Sequence, residues 1–198
     1  MKQCNNIPFS AHLCNVRRVG FLSAQTKKLI TLAKNGDADA FGELYELYYK
    51  EMYCYACCVT GSEALAQDAV QDAALSAFRQ IGSIKNESSF KGWLFTILRA
   101  CCNKQYTKNE AAKSLIYIDD ENSSVNELAS DSNLELSAEV RRALEAVSAE
   151  EKEIVLLSTL GNYRSHEIAG ILGINASTVR SKLKRALKKM REYLNDDN

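Results

Sequence analysis

The chain lacks most of what catalysis, membrane insertion or a β-fold would need. Proline occurs once in 198 residues, at Pro8, and strand-like alternation is rare, so the expected fold is all-α. Histidine occurs twice, at His12 and His166, which lie far apart in sequence. No paired-carboxylate, phosphate-loop or metal-ligand constellation stands out, which argues against an enzyme and against a bound metal or cofactor. No apolar run approaches the roughly 20 residues that span a bilayer. Asn5, Asn6, His12 and Asn15 interrupt any signal-like core near the N-terminus, so a cytoplasmic chain without direct membrane insertion is expected. Excess charge is also lacking: 25 Lys and Arg face 25 Asp and Glu, a formal net charge of zero. No global field announces a nucleic-acid partner, and only the local distribution of charge can do so.

Seven cysteines are present, an odd number at irregular spacings, which argues against a disulfide framework. Cys54-x-x-Cys57 together with Cys101 and Cys102 has the look of a metal or redox site. Both clusters, however, lie within apolar helical patterns and lack zinc-knuckle loops, which favours small buried hydrophobes.

Composition divides the chain into an N-terminal extension over 1–23, a helical domain over 24–106, a linker over 107–137 and a second helical domain over 138–198. In the first domain Leu29, Ile30, Leu32 and Ala33 recur at helical spacing before Asn35-Gly36. Asp37 can cap a second helix with Phe41, Leu44, Tyr45, Tyr48 and Tyr49 on its apolar side, and Ser62 a third. In that third helix Val70, Ala73, Ala74, Ala77, Phe78 and Ile81 form an apolar stripe, with Asp68, Gln71, Asp72 and Arg79 opposite. After a loop over 82–89, Ser88 or Ser89 can cap a fourth helix carrying Phe90, Trp93, Leu94, Phe95, Ile97 and Leu98. The linker, rich in Ser, Asn and acid from Glu110 to Glu135, reads as flexible.

The second domain opens with Val140, Ala143, Leu144 and Val147 at helical spacing, followed by the capping-box pattern Ser148-x-x-Glu151. Residues 163–180 then read as a helix-turn-helix. Ser165 can cap the first short helix, Ala169 is small where helices cross, and Gly173 can take a left-handed turn. Ile168, Leu172, Ile174, Val179 and Leu183 supply the shared core, and Asn175 can cap the second helix. That helix carries Arg180, Lys182, Lys184, Arg185, Lys188, Lys189 and Arg191 against Glu192 alone. Its N-terminal end can enter a major groove, with Ser177, Thr178, Arg180 and Ser181 near bases or phosphates. Lys184 and Arg185 would meet the backbone.

A helix-turn-helix alone does not identify a function. In the first domain, Phe90-Lys91-Gly92-Trp93-Leu94-Phe95 lies in a basic stretch with Lys85, Arg99, Lys104 and Lys108. Aromatics beside cations suit a single strand, whose bases stack or enter pockets. With these segments in view, the chain resembles an extracytoplasmic-function (ECF) sigma factor of bacterial RNA polymerase. Residues 39–45, 66–73 and 88–94 resemble, in order, the start of the family's first domain, its polymerase-docking helix and its promoter-melting segment. Residues 154–194 resemble the domain that reads the upstream promoter element.

The resemblance implies a non-catalytic specificity subunit, without cofactor, that binds the clamp and flap regions of core RNA polymerase. Asp68, Gln71, Asp72 and Arg79 would face the polymerase. Ile84, Lys85, Asn86, Ser89, Lys91, Trp93, Arg99 and Asn103 would engage the non-template strand of the −10 element. Ser177, Thr178, Arg180, Ser181, Lys184, Arg185 and Lys188 would read the −35 element as duplex. The linker would thread toward the active-site and RNA-exit channels, and an anti-sigma factor would hold the protein inactive. Three positions depart from the usual pattern: Ile84 where an aromatic is common, Ala100 where Asn is, and Ser148 where proline is. A conventional regulator carrying the same motif is the alternative, and it would bind duplex operator without polymerase.

Overall fold

The computed structural model describes residues 24–116 and 138–196, and within them the chain is helical with no strand. The expected extension over 1–23, and most of the acidic linker, lie outside the described residues. Two units are resolved.

The N-terminal unit holds α1 (Ala24–Lys34), α2 (Ala38–Thr60), α3 (Glu63–Gln80) and α4 (Phe90–Ile116). Short 3-10 turns over Ile81–Ser83 and Glu87–Ser89 join α3 to α4. Local signals set the boundaries. Gly36 ends the turn after α1 at φ 93°, and Asp37 Oδ1 accepts the Ala40 N–H at 3.0 Å to open α2. Gly61, at φ 68°, closes α2 by donating its N–H to the Cys57 carbonyl, and Ser62 opens α3. These are positions where glycine avoids the steric cost of a left-handed backbone.

Packing follows from side-chain size. Ala66, Ala69, Ala73 and Ala77 form a fully buried small-residue stripe on α3. It lets α2 and α4 approach α3 closely, and the three helices all contact one another. The bulk of the core comes from the neighbours: Ile30, Leu44, Met52, Tyr55, Phe90, Phe95 and Leu98 are fully buried. Tyr55 and Phe95 meet edge-on at 5.7 Å. Truncating one such aliphatic residue to Ala costs about 2–5 kcal/mol.

Several local expectations are corrected. Helix α4 does not end near Thr107, where composition changes, but continues to Ile116. Ser and Asn lower helix propensity only modestly, while Glu110, Ala111, Ala112 and Lys113 are good formers, so an established helix propagates through them. Neither Ser88 nor Ser89 opens α4. Instead Asn86 Oδ1 accepts the Ser88 N–H at 3.0 Å and caps the 3-10 turn that runs into Phe90. Phe78 is 40% exposed rather than part of the core, and rests on Phe41 with ring centroids 5.1 Å apart.

The C-terminal unit holds α5 (Ala138–Glu145), α6 (Ala149–Thr159), α7 (Ser165–Leu172) and α8 (Ala176–Asp196). Helices α5, α6 and α7 all pack on α8. The Ser148 capping box forms as expected: Ser148 Oγ accepts the Glu151 N–H at 3.3 Å, and Glu151 Oε2 accepts the Ser148 N–H at 3.2 Å. Ser165, in contrast, is the first helical residue of α7 rather than its cap. The Glu167 carboxylate makes the other half of a capping box, accepting the N–H of the cap residue Arg164 at 2.7 Å.

Candidate nucleic-acid interface

The helix-turn-helix is built around one glycine. Gly173 sits at φ 70° and ψ 29° and donates its N–H to the Ala169 carbonyl. The Ile174 N–H reaches the same carbonyl at 3.1 Å. Ile168, Ile171 and Val179 are buried around this turn, and Leu172, Ile174 and Leu183 are half-buried. Further along α8, Ala186 and Met190 continue the inward face.

The outward face of α8 carries the charge. Ser177, Arg180, Ser181, Lys184, Arg185, Lys188 and Arg191 are all exposed, and Thr178 is half-buried. Positions 177, 180, 184, 188 and 191 fall at steps of three and four, so they form one line about 21 Å long at 1.5 Å per residue. The Ser181 hydroxyl donates back to the Thr178 carbonyl at 3.0 Å. Lys188 lies 3.5 Å from Glu192, but both are well exposed, so this pair contributes little.

Arg185 flanks that line, and two of the seven cations on α8 are turned to α6 instead. Lys182 pairs with Glu150, and Lys189 Nζ lies 2.9 Å from Glu151 Oε2. Both acids stand in the first turn of α6. The hydrogen bond from Lys189 holds the Glu151 carboxyl below the usual carboxylate range; burial opposes this, and the bonds to Ser148 add to it. Sequence reasoning missed this role of Glu150 and Glu151, because no local spacing relates α6 to α8.

In the N-terminal unit the segment joining α3 to α4 presents Lys85, Asn86, Ser88 and Ser89 to solvent. Ile84 was expected at the DNA, yet it is only 6% exposed and belongs to the core, its N–H donated to the Ile81 carbonyl at 3.2 Å. An apolar residue in a segment that must also close the unit is consumed by packing. Lys91 is likewise half-buried, its Nζ 2.7 Å from Glu51 Oε2 on α2. Trp93 is half-exposed, Arg99 half-buried and Asn103 exposed. Trp93 and Asn103, with Thr96 and Ala100 between them, recur at helical steps along about 15 Å of α4.

On α3, Asp68, Gln71 and Arg79 are exposed, as a docking face requires. Asp72 is instead half-buried, accepts a hydrogen bond from Gln105 Nε2 at 3.1 Å and lies 3.9 Å from Lys104 Nζ. It ties α3 to α4. The sequence reading missed Leu75, which is 57% exposed and shares the face of Asp68 and Gln71. A helical wheel reveals it as an apolar residue on a polar side. Cys54, Cys57 and Cys102 are buried, Cys58 and Cys101 half-buried, and none of these five forms a disulfide. Burial, reinforced by the Asp72 charge, raises the Cys101 thiol pKa.

Comparison with known proteins bears on both units. Residues 44–112 match the family model of Sigma-70 region 2, and residues 137–190 that of Sigma-70 region 4. The ECF sigma factor BldN of Streptomyces coelicolor is 29% identical over 88% of this chain and 68% of its own length. The ECF sigma factor SigM of Mycobacterium tuberculosis is 28% identical over 81% of each chain. SigW of Bacillus subtilis is 26% identical over 86% of this chain and 97% of its own. Among solved structures, CnrH in complex with the cytosolic domain of CnrY shares the fold, with a TM-score of 0.67 at 21% identity over 88% of this chain and 99% of that one. The sigma factor RpoE of Bartonella quintana, in complex with the anti-sigma factor NepR, gives a TM-score of 0.63 at 25% identity over 80% of this chain and 98% of that one. With both sigma regions matched in order and ECF sigma factors aligned along most of its length, the chain belongs to the ECF sigma factors, the promoter-recognising subunits of RNA polymerase.

Proposed function

We propose that the two units divide promoter recognition, the C-terminal one reading the −35 duplex and the N-terminal one engaging the −10 non-template strand. The observation that carries this reading is the exposed line on α8, from Ser177 through Arg180, Lys184 and Lys188. It leads away from a turn whose geometry suits a helix entering a major groove. Arg185 flanks the line, with Thr178 and Ser181 at its N-terminal end. On the N-terminal unit, Lys85, Asn86, Ser89, Trp93, Arg99 and Asn103 serve the separated strand through stacking and backbone contacts. Ile84 and Lys91 are left out because their side chains are occupied elsewhere.

The polymerase clamp meets the α3 face of Asp68, Gln71 and Arg79, with Leu75 as its apolar centre. The flap meets the C-terminal unit. The protein acts without chemistry of its own, in the cytoplasm, and an anti-sigma factor restrains it. That last reading is supported by the fold shared with RpoE, which was solved bound to NepR.

The test is reconstitution with core polymerase on fragmented genomic DNA from the same cells, reading run-off transcripts. Discrete start sites that require this protein are expected. Leu75→Asp should leave the fold intact, because the side chain is exposed, while weakening core binding about tenfold or more. Tight binding to duplex DNA without polymerase, and no transcription with it, would instead support a conventional regulator.

A further inference from the structure

Lys91 stands in the segment that would open promoter DNA, yet its cation is turned inward. Its Nζ lies 2.7 Å from Glu51 Oε2, with side-chain exposures of 14% for the lysine and 5% for the glutamate. The same ammonium lies 5.9 Å from the centroid of the Tyr48 ring. Tyr48 in turn tilts against Phe90 at 5.7 Å, and Phe90 against Trp93 at 5.9 Å. Phe90 is fully buried, and Trp93 is the half-exposed end of this chain of contacts. Burial, with the Glu51 charge adding to it, pushes the Tyr48 phenol up to about 12, as expected for a neutral ring beside a buried anion.

A carboxylate at this depth is costly unless a cation meets it, and removing either partner leaves an uncompensated charge. The pair therefore fixes where the first turn of α4 sits on α2. A second tie acts on the same segment from α1: Thr31 Oγ1 lies 2.8 Å from Glu87 Oε1.

We propose that Glu51 and Lys91 are positioning residues for strand opening, acting through Phe90 and Trp93 rather than by contact with DNA. This rests on the reading of the α4 segment as the strand-engaging surface. Glu51 and Lys91 set the angle at which Trp93 and the exposed residues of the preceding turn meet the strand.

The experiment uses holoenzyme on a promoter selected by the run-off assay above. Opening is read from permanganate reactivity of −10 thymines, with core affinity and helicity measured on every variant. Glu51→Gln, which removes an anion that DNA would not welcome, should slow opening about tenfold through the stranded lysine. Lys91→Met should do the same. The double variant Glu51→Met, Lys91→Met should recover to within about threefold of the parent, since an apolar pair of similar size can replace a buried ion pair. A double variant as slow as Lys91→Met would overturn the proposal, because the cation itself would then be what DNA needs. An equal or faster rate with Glu51→Gln would overturn it too. So would parallel loss of core affinity or helicity in all three variants, since the pair would then support the whole unit. Absence of opening by the parent protein would instead count against the strand-engaging reading.

Discussion

The sorting of cations on α8 makes a quantitative prediction. Two double variants remove the same charge from the same helix. Arg180→Ala with Lys184→Ala removes two members of the exposed line. Lys182→Ala with Lys189→Ala removes the two lysines held by Glu150 and Glu151. Each phosphate contact contributes about 0.9 to the slope of log affinity against log salt. Losing two contacts therefore lowers the slope by about 1.8, which between 50 and 200 mM salt amounts to about a twelvefold smaller loss of affinity. The Lys182, Lys189 variant should keep the parent slope to within about 0.5. Its defect should appear in stability instead. Lys189 is half-exposed, so losing its bond to the buried Glu151 should cost only about 1 kcal/mol, a fall of several degrees in the midpoint of thermal unfolding. The assay is holoenzyme binding to a promoter fragment across a salt series, beside thermal melts followed by circular dichroism. Equal slope changes in both variants would refute the reasoning, because net charge rather than placement would then govern binding.

Two further predictions concern the same unit. At Gly173 nothing lies within 4 Å of an added Cβ, so Gly173→Ala should cost about 1–2 kcal/mol from the positive φ alone, and Gly173→Asn clearly less; chemical denaturation of the two variants checks this. Because the Glu151 pKa is lowered on folding, its contribution is present above the ordinary carboxylate range and fades as pH falls through the depressed value. Glu151→Gln should therefore lower stability at neutral pH and flatten its dependence on acid below about pH 4.5, measured as the denaturation midpoint against pH.

Helix positions were legible in the sequence wherever the signal was local. Asp37, Ser62 and Ser148 cap the helices they precede, and Gly36, Gly61 and Gly173 take the left-handed turns. Reading failed where two local devices compete. Asn86 starts a 3-10 turn ahead of Ser88 and Ser89, and Glu167 bonds the N–H of Arg164, so each helical segment is capped one or more residues before the serine that local spacing favours. It failed also at Thr107, where polar composition resembles a linker but a helix already under way needs little to continue.

The site was harder to read, since a charged residue's role depends on its partner across the fold. Lys182, Lys184 and Lys189 are indistinguishable by type and lie within two turns of one helix, yet only Lys184 faces outward unpaired with α6. The sorting is done by Glu150 and Glu151, more than 30 residues away in sequence. A helix basic all round could roll about its axis and still offer cations to phosphate. The buried face of Val179, Ala186 and Met190 prevents that roll, and the two lysines paired with α6 add to it, so the remaining line keeps a single direction. On the N-terminal unit, Glu51 treats Lys91 in the same way, and Asp72 is held by Gln105 and Lys104. The chain's zero net charge follows in part from this arrangement: a share of its acids serve to fix the orientation of basic helices. With so little overall charge to attract DNA, the proposed division of promoter recognition implies that affinity should depend on both units acting together within the polymerase rather than on either alone.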